Sequence, residues 1–391
     1  MASLLVLIVV LVSSVGHLGT ARREGPSDGK SLTSFEFSEG TLQQGNPLEF
    51  QHHRQLEQDA PSANATDTQA ADKEAKKLAK KLGKKLWKAA SEGNVKKVQK
   101  LIGRGASLKV RRGELKDTPL MISSANGHLE VVETLIDAGA GVNASDRDRR
   151  TALYKASFAG HLPIAEALLA AGAAVNKAKD ARITPLWAAA HEGHAQVVNA
   201  LLQAGALVDK ATLEEVTPLW AAAQNGHVDV TELLLEAGAD PNKTKNTGAS
   251  PLLVASQNGH APVVDALLEA GADPEAANAE GIAPLHSASV TIGNASVAVV
   301  GSLLDANATI DKPDNLGWTP LIWASSHGNL GTVGLLVERG ANVTAVAVDG
   351  KTAADLVCEC LNSEGDSSRA QCTPGGCELP QTSDRITELL K

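Results

Sequence analysis

The stretch VTPLWAAAQNGHVDVTELLLEAGADPN, residues 216–242, decides the fold of this 391-residue chain. Its Thr-Pro-Leu string recurs with small variations along the sequence, beginning at Thr118, Thr151, Thr184, Thr217, Ser250, Ala283, Thr319 and Thr352. Successive starts lie 33 residues apart, except that the step from 283 to 319 is 36. A fixed period of this length is the signature of a repeat array, in which each period is one small structural unit.

Each period reads as two short helices joined by a tight turn. Proline in second place is tolerated at the first helical position, because its missing N–H would have no partner there, and the preceding threonine can cap the helix. A glycine follows nine residues after the start, as at Gly226, and permits the left-handed backbone of a turn. Apolar pairs then mark a second helix. One unit cannot bury its own apolar face, but a stack of units can.

The pattern resembles that of the ankyrin-repeat family, Thr-Pro-Leu-His-x-Ala-Ala-x-x-Gly-His followed by Val-Val-x-x-Leu-Leu-x-x-Gly-Ala. Residues 216–242 and 280–304 carry it nearly whole, and the resemblance covers about residues 84–391. It implies an all-α solenoid of helix-turn-helix units joined by β-hairpin-like loops. About nine units are expected: unit 1 begins at Lys84, and units 2 to 9 begin at the eight starts above.

Some units depart from the family pattern. Unit 7 has three extra residues within 290–297, and we expect its inter-helix turn to bulge. Arg149, Arg182 and Glu215 stand two residues before the threonine, where later units have glycine, so we expect their hairpins to bend differently. The last unit, residues 352–391, is interrupted by a cysteine-containing loop and resumes in a helix that Ser383 is expected to cap.

The N-terminal residues have the pattern of a secretory signal. Leu4–Val12 is an unbroken apolar run, too short for a membrane-spanning helix, and small residues suited to cleavage follow at Gly16 and Ala21. We assign residues 1–21 to a signal peptide and the polar, patternless residues 22–71 to a disordered linker. Secretion is the expected destination. The alternatives are the ER lumen or another secretory compartment, and the cytoplasm if the signal is not functional.

Six Asn-x-Ser/Thr sequons agree with export and predict a glycoprotein. They begin at Asn64, Asn143, Asn242, Asn294, Asn307 and Asn342. The alternative explanation is that repeat loops are simply rich in Asn, Ser and Thr.

All four cysteines fall in the break of the last unit, at Cys358, Cys360, Cys372 and Cys377. In an exported protein we expect two disulfides, either 358–372 with 360–377 or 358–377 with 360–372, because Cys358 and Cys360 are too close to bond each other. A four-thiolate zinc site is the alternative, although its spacing would be irregular.

Charge is unevenly distributed. The net charge is −9, which does not favour nucleic-acid binding, yet residues 72–116 carry 16 Lys or Arg against four acidic residues. We expect residues 72–83 to form a basic amphipathic helix leading into the array, with Leu78, Leu82 and Leu86 four apart. A solvated extension of the first unit is the preferred interpretation. A weak contact of Lys73–Lys88 with an anionic surface is the alternative.

No catalytic or cofactor motif is found, and no metal site is assigned, so an enzyme is the least favoured class. The pair His191 and His194 resembles a zinc-protease motif, but Gly193 breaks the helix that such a motif needs. The family resemblance instead implies recognition of a protein on a concave side built from hairpin tips and first helices. We expect a monomer that binds an extracellular or luminal protein. The alternative is an intracellular scaffold or adaptor with reduced cysteines.

Transfer of the family's contact positions gives the candidate partner-binding residues. These are Arg150, Tyr154, Phe158, Ile183, Trp187, His191, Glu192, Val216, Trp220, Gln224, Asn225, Gln257, Trp318 and Trp323. Tyr154, Trp187 and Trp220 replace the usual first-helix histidine in three consecutive units. Aromatic rings are favoured interface anchors, but rings that merely fill the space between units would give the same pattern.

Overall fold

The computed structural model describes residues 65–291, 293–356 and 380–390. These residues form seventeen α-helices and no β-strand, which confirms the all-α repeat fold. The helices are α1 (Ala65–Ser91), α2 (Val95–Ile102), α3 (Pro119–Ala125), α4 (Leu129–Asp137), α5 (Ala152–Phe158), α6 (Leu162–Ala170), α7 (Pro185–His191), α8 (Ala195–Gln203), α9 (Pro218–Asn225), α10 (Val228–Glu236), α11 (Pro251–Gln257), α12 (Ala261–Glu269), α13 (Pro284–Val290), α14 (Asn294–Asp305), α15 (Pro320–Ser326), α16 (Leu330–Glu338) and α17 (Pro380–Leu389).

The first helices of units 2 to 6 and 8 begin with the predicted cap. The Thr217 hydroxyl accepts a hydrogen bond from the backbone N–H of Trp220 at 3.1 Å, and Pro218 takes the first helical position. Threonine or serine caps the corresponding helices of units 2, 3, 4, 6 and 8 in the same way. Ala283 has no hydroxyl. There the backbone N–H of Ala283 donates to Nδ1 of His286 instead, at 3.1 Å.

The units stack in two layers of helices. Each first helix packs on the first helix of the next unit and on the second helix of its own unit, and second helices pack on one another. Leu186, Leu219 and Leu252 are buried between units, and Ala189 and Ala222 are fully buried in the first helices. Small alanines let neighbouring helices approach closely, which suits a core with few aromatic rings.

The turn histidines join neighbouring units. Nε2 of His227 lies 3.0 Å from the carbonyl oxygen of His191, and four other turn histidines make the same contact with the preceding unit. Where histidine is missing, Thr291 donates to the carbonyl of Gln257 at 2.6 Å, and Asn329 donates to the carbonyl of Thr291 at 2.6 Å. These side chains therefore have a structural role at the joints between units.

The loops between units resemble β-hairpins without forming strands. Backbone hydrogen bonds link successive hairpin tips in one register, as from Leu213 N to Ala181 O at 3.0 Å. Within the described residues the one isolated β-bridge joins Arg112 and Asp117. The hairpins thus form a continuous edge beside the first helices.

The expectation of differently bent hairpins is wrong at Arg149 and Glu215. Both adopt the left-handed backbone, with φ of 64° and 62°, that Gly248 adopts at φ 81° in the same position. Arg182 does so too, at φ 62°, but its hairpin differs because Ala181 is also left-handed, at φ 60°. A non-glycine residue in this conformation costs roughly 1–2 kcal/mol, so these units keep the family's hairpin against local strain.

The predicted bulge in unit 7 is also wrong. Helix α13 ends at Val290 and α14 begins at Asn294, the same gap as in other units, but α14 has 12 residues where α12 has nine. The three extra residues therefore extend the second helix, because they amount to almost one helical turn. Asn294 lies at the start of this helix and not in a widened turn.

The first helix differs from its predicted boundaries. Helix α1 begins at Ala65, within the residues assigned to the linker, and continues unbroken through residues 72 and 84. Leu82 and Leu86 are buried in the core, whereas Leu78 is 53% exposed. The stretch is rich in alanine and lysine, which favour helix over a flexible linker. None of the described helices has the length and apolar character required to cross a membrane.

Helix α17 closes the described part of the array. It begins at Pro380, so Ser383 lies inside it and is not its cap, contrary to the prediction. Ile386 is fully buried, and the helix packs on α16. The residues assigned to a signal peptide, Asn64 and the four cysteines at 358, 360, 372 and 377 lie outside the described residues.

Candidate protein-recognition face

Three aromatic residues follow one another in the same register on the surface formed by first helices and hairpins. We call this surface the first-helix face, and Tyr154, Trp187 and Trp220 the aromatic row; they lie on α5, α7 and α9. Their exposure differs. Tyr154 is 5% exposed and Trp220 is 6% exposed, whereas Trp187 is partly exposed. The three positions are therefore equivalent in the repeat but not in their surroundings.

The two outer rings are covered by lysines of the following hairpins. Nζ of Lys179 lies 5.4 Å from the centroid of the Tyr154 ring, and Nζ of Lys245 lies 5.2 Å from that of Trp220. An ammonium at this distance is attracted by the ring face. The indole N–H of Trp220 also donates to the carbonyl of Ala249 at 3.0 Å. The faces of both outer rings are thus covered by lysines of the same chain.

Burial shifts the pKa values at the Tyr154 end of the row. Burial raises the pKa of the Tyr154 hydroxyl, and Arg150 partly opposes the change, while Glu192 adds to it. Burial also lowers the pKa of Lys179, and the charge of Arg150 lowers it further. Glu192 lies in the next unit, to which Trp187 also belongs. Its negative charge therefore raises the pKa of Tyr154 across the joint between the two units.

The middle ring is arranged differently. Trp187 stacks on His191, with ring centroids 4.9 Å apart and planes 20° apart. Its indole N–H is buried and has no hydrogen-bond partner among the described residues. Thr212 stands where the neighbouring units have lysine, and its hydroxyl accepts hydrogen bonds from the backbone N–H groups of Glu214 and Val216. No lysine of the described residues lies over the Trp187 ring.

An ion triad lies beneath the Tyr154 end of the row. Nζ of Lys155 is 2.9 Å from Asp117 and 3.0 Å from Asp146, and these side chains are 9%, 10% and 0% exposed. Asp146 also accepts hydrogen bonds from the backbone N–H groups of Asp148 and Arg150. The triad fixes α5 to the two hairpins that precede it. Sequence reasoning missed this triad, although a lysine at a position that is alanine in the next two units was a signal.

The other candidates of units 3 to 6 vary in accessibility. Phe158 is 49% exposed and stacks on Tyr154 at 6.4 Å between centroids, and Gln224 and Gln257 are exposed. Val216 is buried and Ile183 is half-buried. The remaining candidates of these units make polar contacts. Asn225 donates to the carbonyl of His191 at 3.0 Å, Nδ1 of His191 lies 2.9 Å from Glu192, and Arg150 pairs with Asp148.

Trp318 and Trp323 form a second aromatic cluster in unit 8. Their rings meet edge to face at 5.7 Å, and Trp323 stacks on His327 at 5.8 Å. The indole N–H of Trp323 donates to Asp314 at 3.0 Å, so this ring has the partner that Trp187 lacks. The structure thus divides the predicted residues into two groups, with Gln257 of unit 6 between them.

A shallow cleft of about 340 Å³ lies among the hairpins that flank the aromatic row. It is lined by Arg149, Ala178, Lys179, Asp180, Ala181, Arg182 and Leu213. Three cations there outnumber one carboxylate, and the next hairpin carries Glu214 and Glu215. The hairpin edge therefore changes from positive to negative between these two hairpins.

Comparison with known proteins shows the family. The sequence model for ankyrin repeats in three copies matches residues 86–180, 175–245 and 252–347. These matches cover more than half of the chain, which therefore belongs to the ankyrin-repeat family. Ankyrin repeats generally mediate protein–protein interaction, and arrays of this kind typically have no catalytic activity of their own.

Individual relatives match only a short part of the array. Human "Ankyrin repeat, SAM and basic leucine zipper domain-containing protein 1" is 41% identical over 56 residues, 14% of this chain and 11% of that protein. Mouse "DNA-binding protein RFXANK" is 43% identical over 53 residues, 14% of this chain and 20% of that protein. The chain thus spans a fifth or less of these curated relatives, and the similarity is shorter than two repeat units.

Proposed function

We propose that this chain recognises a protein partner on the first-helix face of units 3 to 5, and does so in the secretory pathway or outside the cell. The observation that carries the recognition proposal is the partial exposure of the Trp187 ring. This large ring stays partly exposed between two rings that the protein covers with its own lysines. A rigid aromatic residue of this kind is a favoured anchor, because it buries much surface at little cost in rotamer freedom.

The sequence supports the compartment. The apolar run Leu4–Val12 has the length of a signal peptide core, and the five sequon asparagines that the structure describes are all exposed. Asn143 and Asn242 donate to carbonyls of the next unit at 3.1 Å each. An amide nitrogen has two protons, so a glycan attached there leaves one for this bond. Glycosylation of these residues is therefore compatible with the fold.

The recognition proposal is tested by comparing what the full chain captures on the cell surface and in medium. Proximity labelling with the wild type is expected to enrich a protein that the Trp187→Ala variant fails to enrich. Leu316→Ala is a matched control, because Leu316 is a large apolar residue that is 61% exposed on a distant hairpin. If Trp187→Ala labels the same proteins as the wild type while folding normally, this face is not the recognition site.

The compartment is tested by the intact mass of protein made from the full-length chain in cells. We expect it in the medium without residues 1–16 or 1–21, with glycan mass, and with cysteines that react with an alkylating agent only after reduction. Retention inside the cell with Met1 present, no glycan and four free thiols would contradict export. That result would favour the intracellular scaffold or adaptor and reopen the zinc alternative.

A further inference from the structure

In units 3 to 8, the residue five positions before the Thr-Pro-Leu start has one of two roles. In units 3, 5, 7 and 8 its side-chain oxygen accepts hydrogen bonds from two backbone N–H groups and closes the hairpin. Those residues are Asp146, Thr212, Asn278 and Asp314. A short side chain with an oxygen acceptor is the usual choice for this kind of turn.

Lys179 and Lys245 occupy the same position in units 4 and 6. A lysine has no acceptor, so these two hairpins lose the side-chain hydrogen bonds that the others have. They still close through the backbone, from Lys179 N to Ile183 O at 2.9 Å and from Lys245 N to Ala249 O at 3.0 Å. In exchange, each ammonium lies on the face of the ring that precedes it, Tyr154 or Trp220. The position therefore accepts either residue type without losing the hairpin.

Trp187 is the member of the aromatic row whose following hairpin supplies no cation. Thr212 keeps the turn-closing role, so the ring face that a lysine covers in the units on both sides has no ammonium from this hairpin. The partly exposed ring face is therefore the part of this site that another molecule can cover. Because the two adjacent copies of the site hold an ammonium, the group that fits this site is also a cation.

Carboxylates near the ring favour the same occupant. Glu192 lies beside His191, on which Trp187 stacks, and Glu214 and Glu215 follow Thr212 at the next hairpin tip. Arg182, five residues before the ring, opposes these carboxylates, and the cleft beside Leu213 adds Arg149 and Lys179 on the preceding hairpins. A cation on an aromatic face next to carboxylates is stabilised by both the ring and the carboxylates. These attractions offset part of the free energy that it costs to remove the cation from water.

We propose that the open face of Trp187 binds a lysine or arginine side chain of an extended segment of the protein partner. The site is then a third copy of the Lys179–Tyr154 and Lys245–Trp220 contacts, with the cation supplied by the partner. This inference rests on the proposed recognition function and specifies the chemistry of what is recognised. It also explains why the row is uneven, since a row built only for packing has no reason to leave its middle ring open.

The test uses peptides selected from a random display library on the purified full chain. We expect selected peptides to have a lysine or arginine at one fixed position. Thr212→Lys gives Trp187 its own ammonium and is expected to weaken such a peptide roughly tenfold, the order of a desolvated cation–π contact. Thr212→Asn is the matched control, because Asn278 closes the equivalent hairpin, and it is expected to change affinity less than twofold.

A double-mutant comparison isolates the contact. Replacing the peptide's basic residue by norleucine is expected to cost roughly tenfold with the wild type and almost nothing with Thr212→Lys, since the site is then already filled. Thr212→Lys is expected to fold, because Lys179 and Lys245 hold the same position; circular dichroism checks this. Thr212→Arg provides a second variant with the same expected effect.

The outcomes separate the two proposals. If peptides bind the wild type and lose affinity with Trp187→Ala, but carry no basic residue or bind folded Thr212→Lys as tightly, the cation site is wrong and recognition on this face stands. If the selected peptides bind Trp187→Ala as tightly as the wild type, recognition on this face fails, and the inference fails with it.

Discussion

Replacing Lys155 by methionine is expected to destabilise the array more than any surface change of similar size. The ammonium of Lys155 faces two buried carboxylates, at 2.9 Å from Asp117 and 3.0 Å from Asp146. Methionine matches the volume of the lysine stem but has no charge. The variant therefore leaves two negative groups in the protein interior without their counter-charge.

The size of the effect follows from these distances. At an effective dielectric constant near 20, each charge pair at about 3 Å attracts by roughly 5 kcal/mol, and much of this offsets the desolvation of three buried charges. Removing one member of such a group leaves the others uncompensated, and this typically costs about 3–5 kcal/mol. We expect the free energy of unfolding to fall by that amount in Lys155→Met.

Urea unfolding followed by circular dichroism measures the global loss, and amide hydrogen exchange locates it. Repeat arrays can open locally, so we expect the largest loss of protection in α3 to α6, on both sides of the triad. Lys210→Met is the control. Lys210 is exposed, and the same substitution there is expected to change stability by less than about 0.5 kcal/mol.

The reasoning is tested further by removing the negative charges as well. In Lys155→Met with Asp117→Asn and Asp146→Asn, no charge remains in the triad, and at least half of the lost stability is expected to return. Asn278 makes the two turn-closing hydrogen bonds in its own hairpin, so asparagine can replace Asp146 there. A single variant within about 1 kcal/mol of the wild type, or a triple variant no more stable than the single one, would refute the electrostatic account.

Two further predictions concern the hairpins and the buried histidine. Arg149→Gly and Glu215→Gly should each raise the free energy of unfolding by roughly 0.5–1 kcal/mol in urea titrations, because relief of left-handed strain exceeds the extra unfolded-state freedom of glycine; equal or lower stability would contradict this. Burial lowers the pKa of His286, so the unfolded chain binds a proton that the folded chain resists. Stability from this source is present above about pH 6.5 and lost as pH falls toward the folded pKa. His286→Leu, which introduces the residue found at the equivalent position of unit 6, Leu253, should flatten the slope of stability between about pH 7 and pH 5; an unchanged slope would count against it.

The repeat fold could be predicted from the sequence because its signals are local. The cap of Thr217, the proline after it and the turn glycine Gly226 each act within one unit, and repetition makes the pattern unmistakable. The unit 7 insertion was misread for the same reason. The three extra residues within 290–297 predicted a bulged turn, but three residues are close to one helical turn, and they lengthen α14 instead.

The details of the candidate site depend on contacts between units, which the sequence does not display. Lys155 meets Asp117 across 38 residues, and Lys245 meets Trp220 across 25. Each lysine stands at a position where other units have a different residue type, which was the available signal. Neither its partner nor the exposure of Trp187 follows from that signal, because both depend on how adjacent units stack.

The joints between units have a consequence for how such a chain changes over evolutionary time. At the inter-helix turns, the side-chain donor belongs to the later unit, as His227, Thr291 or Asn329, whereas the acceptor is a main-chain carbonyl of the earlier one. A carbonyl is present whatever the side chain is. A unit can therefore be duplicated, deleted or transplanted in frame and still find its acceptor in a new neighbour. The length of the array can vary by recombination while the individual surface residues diverge by point mutation.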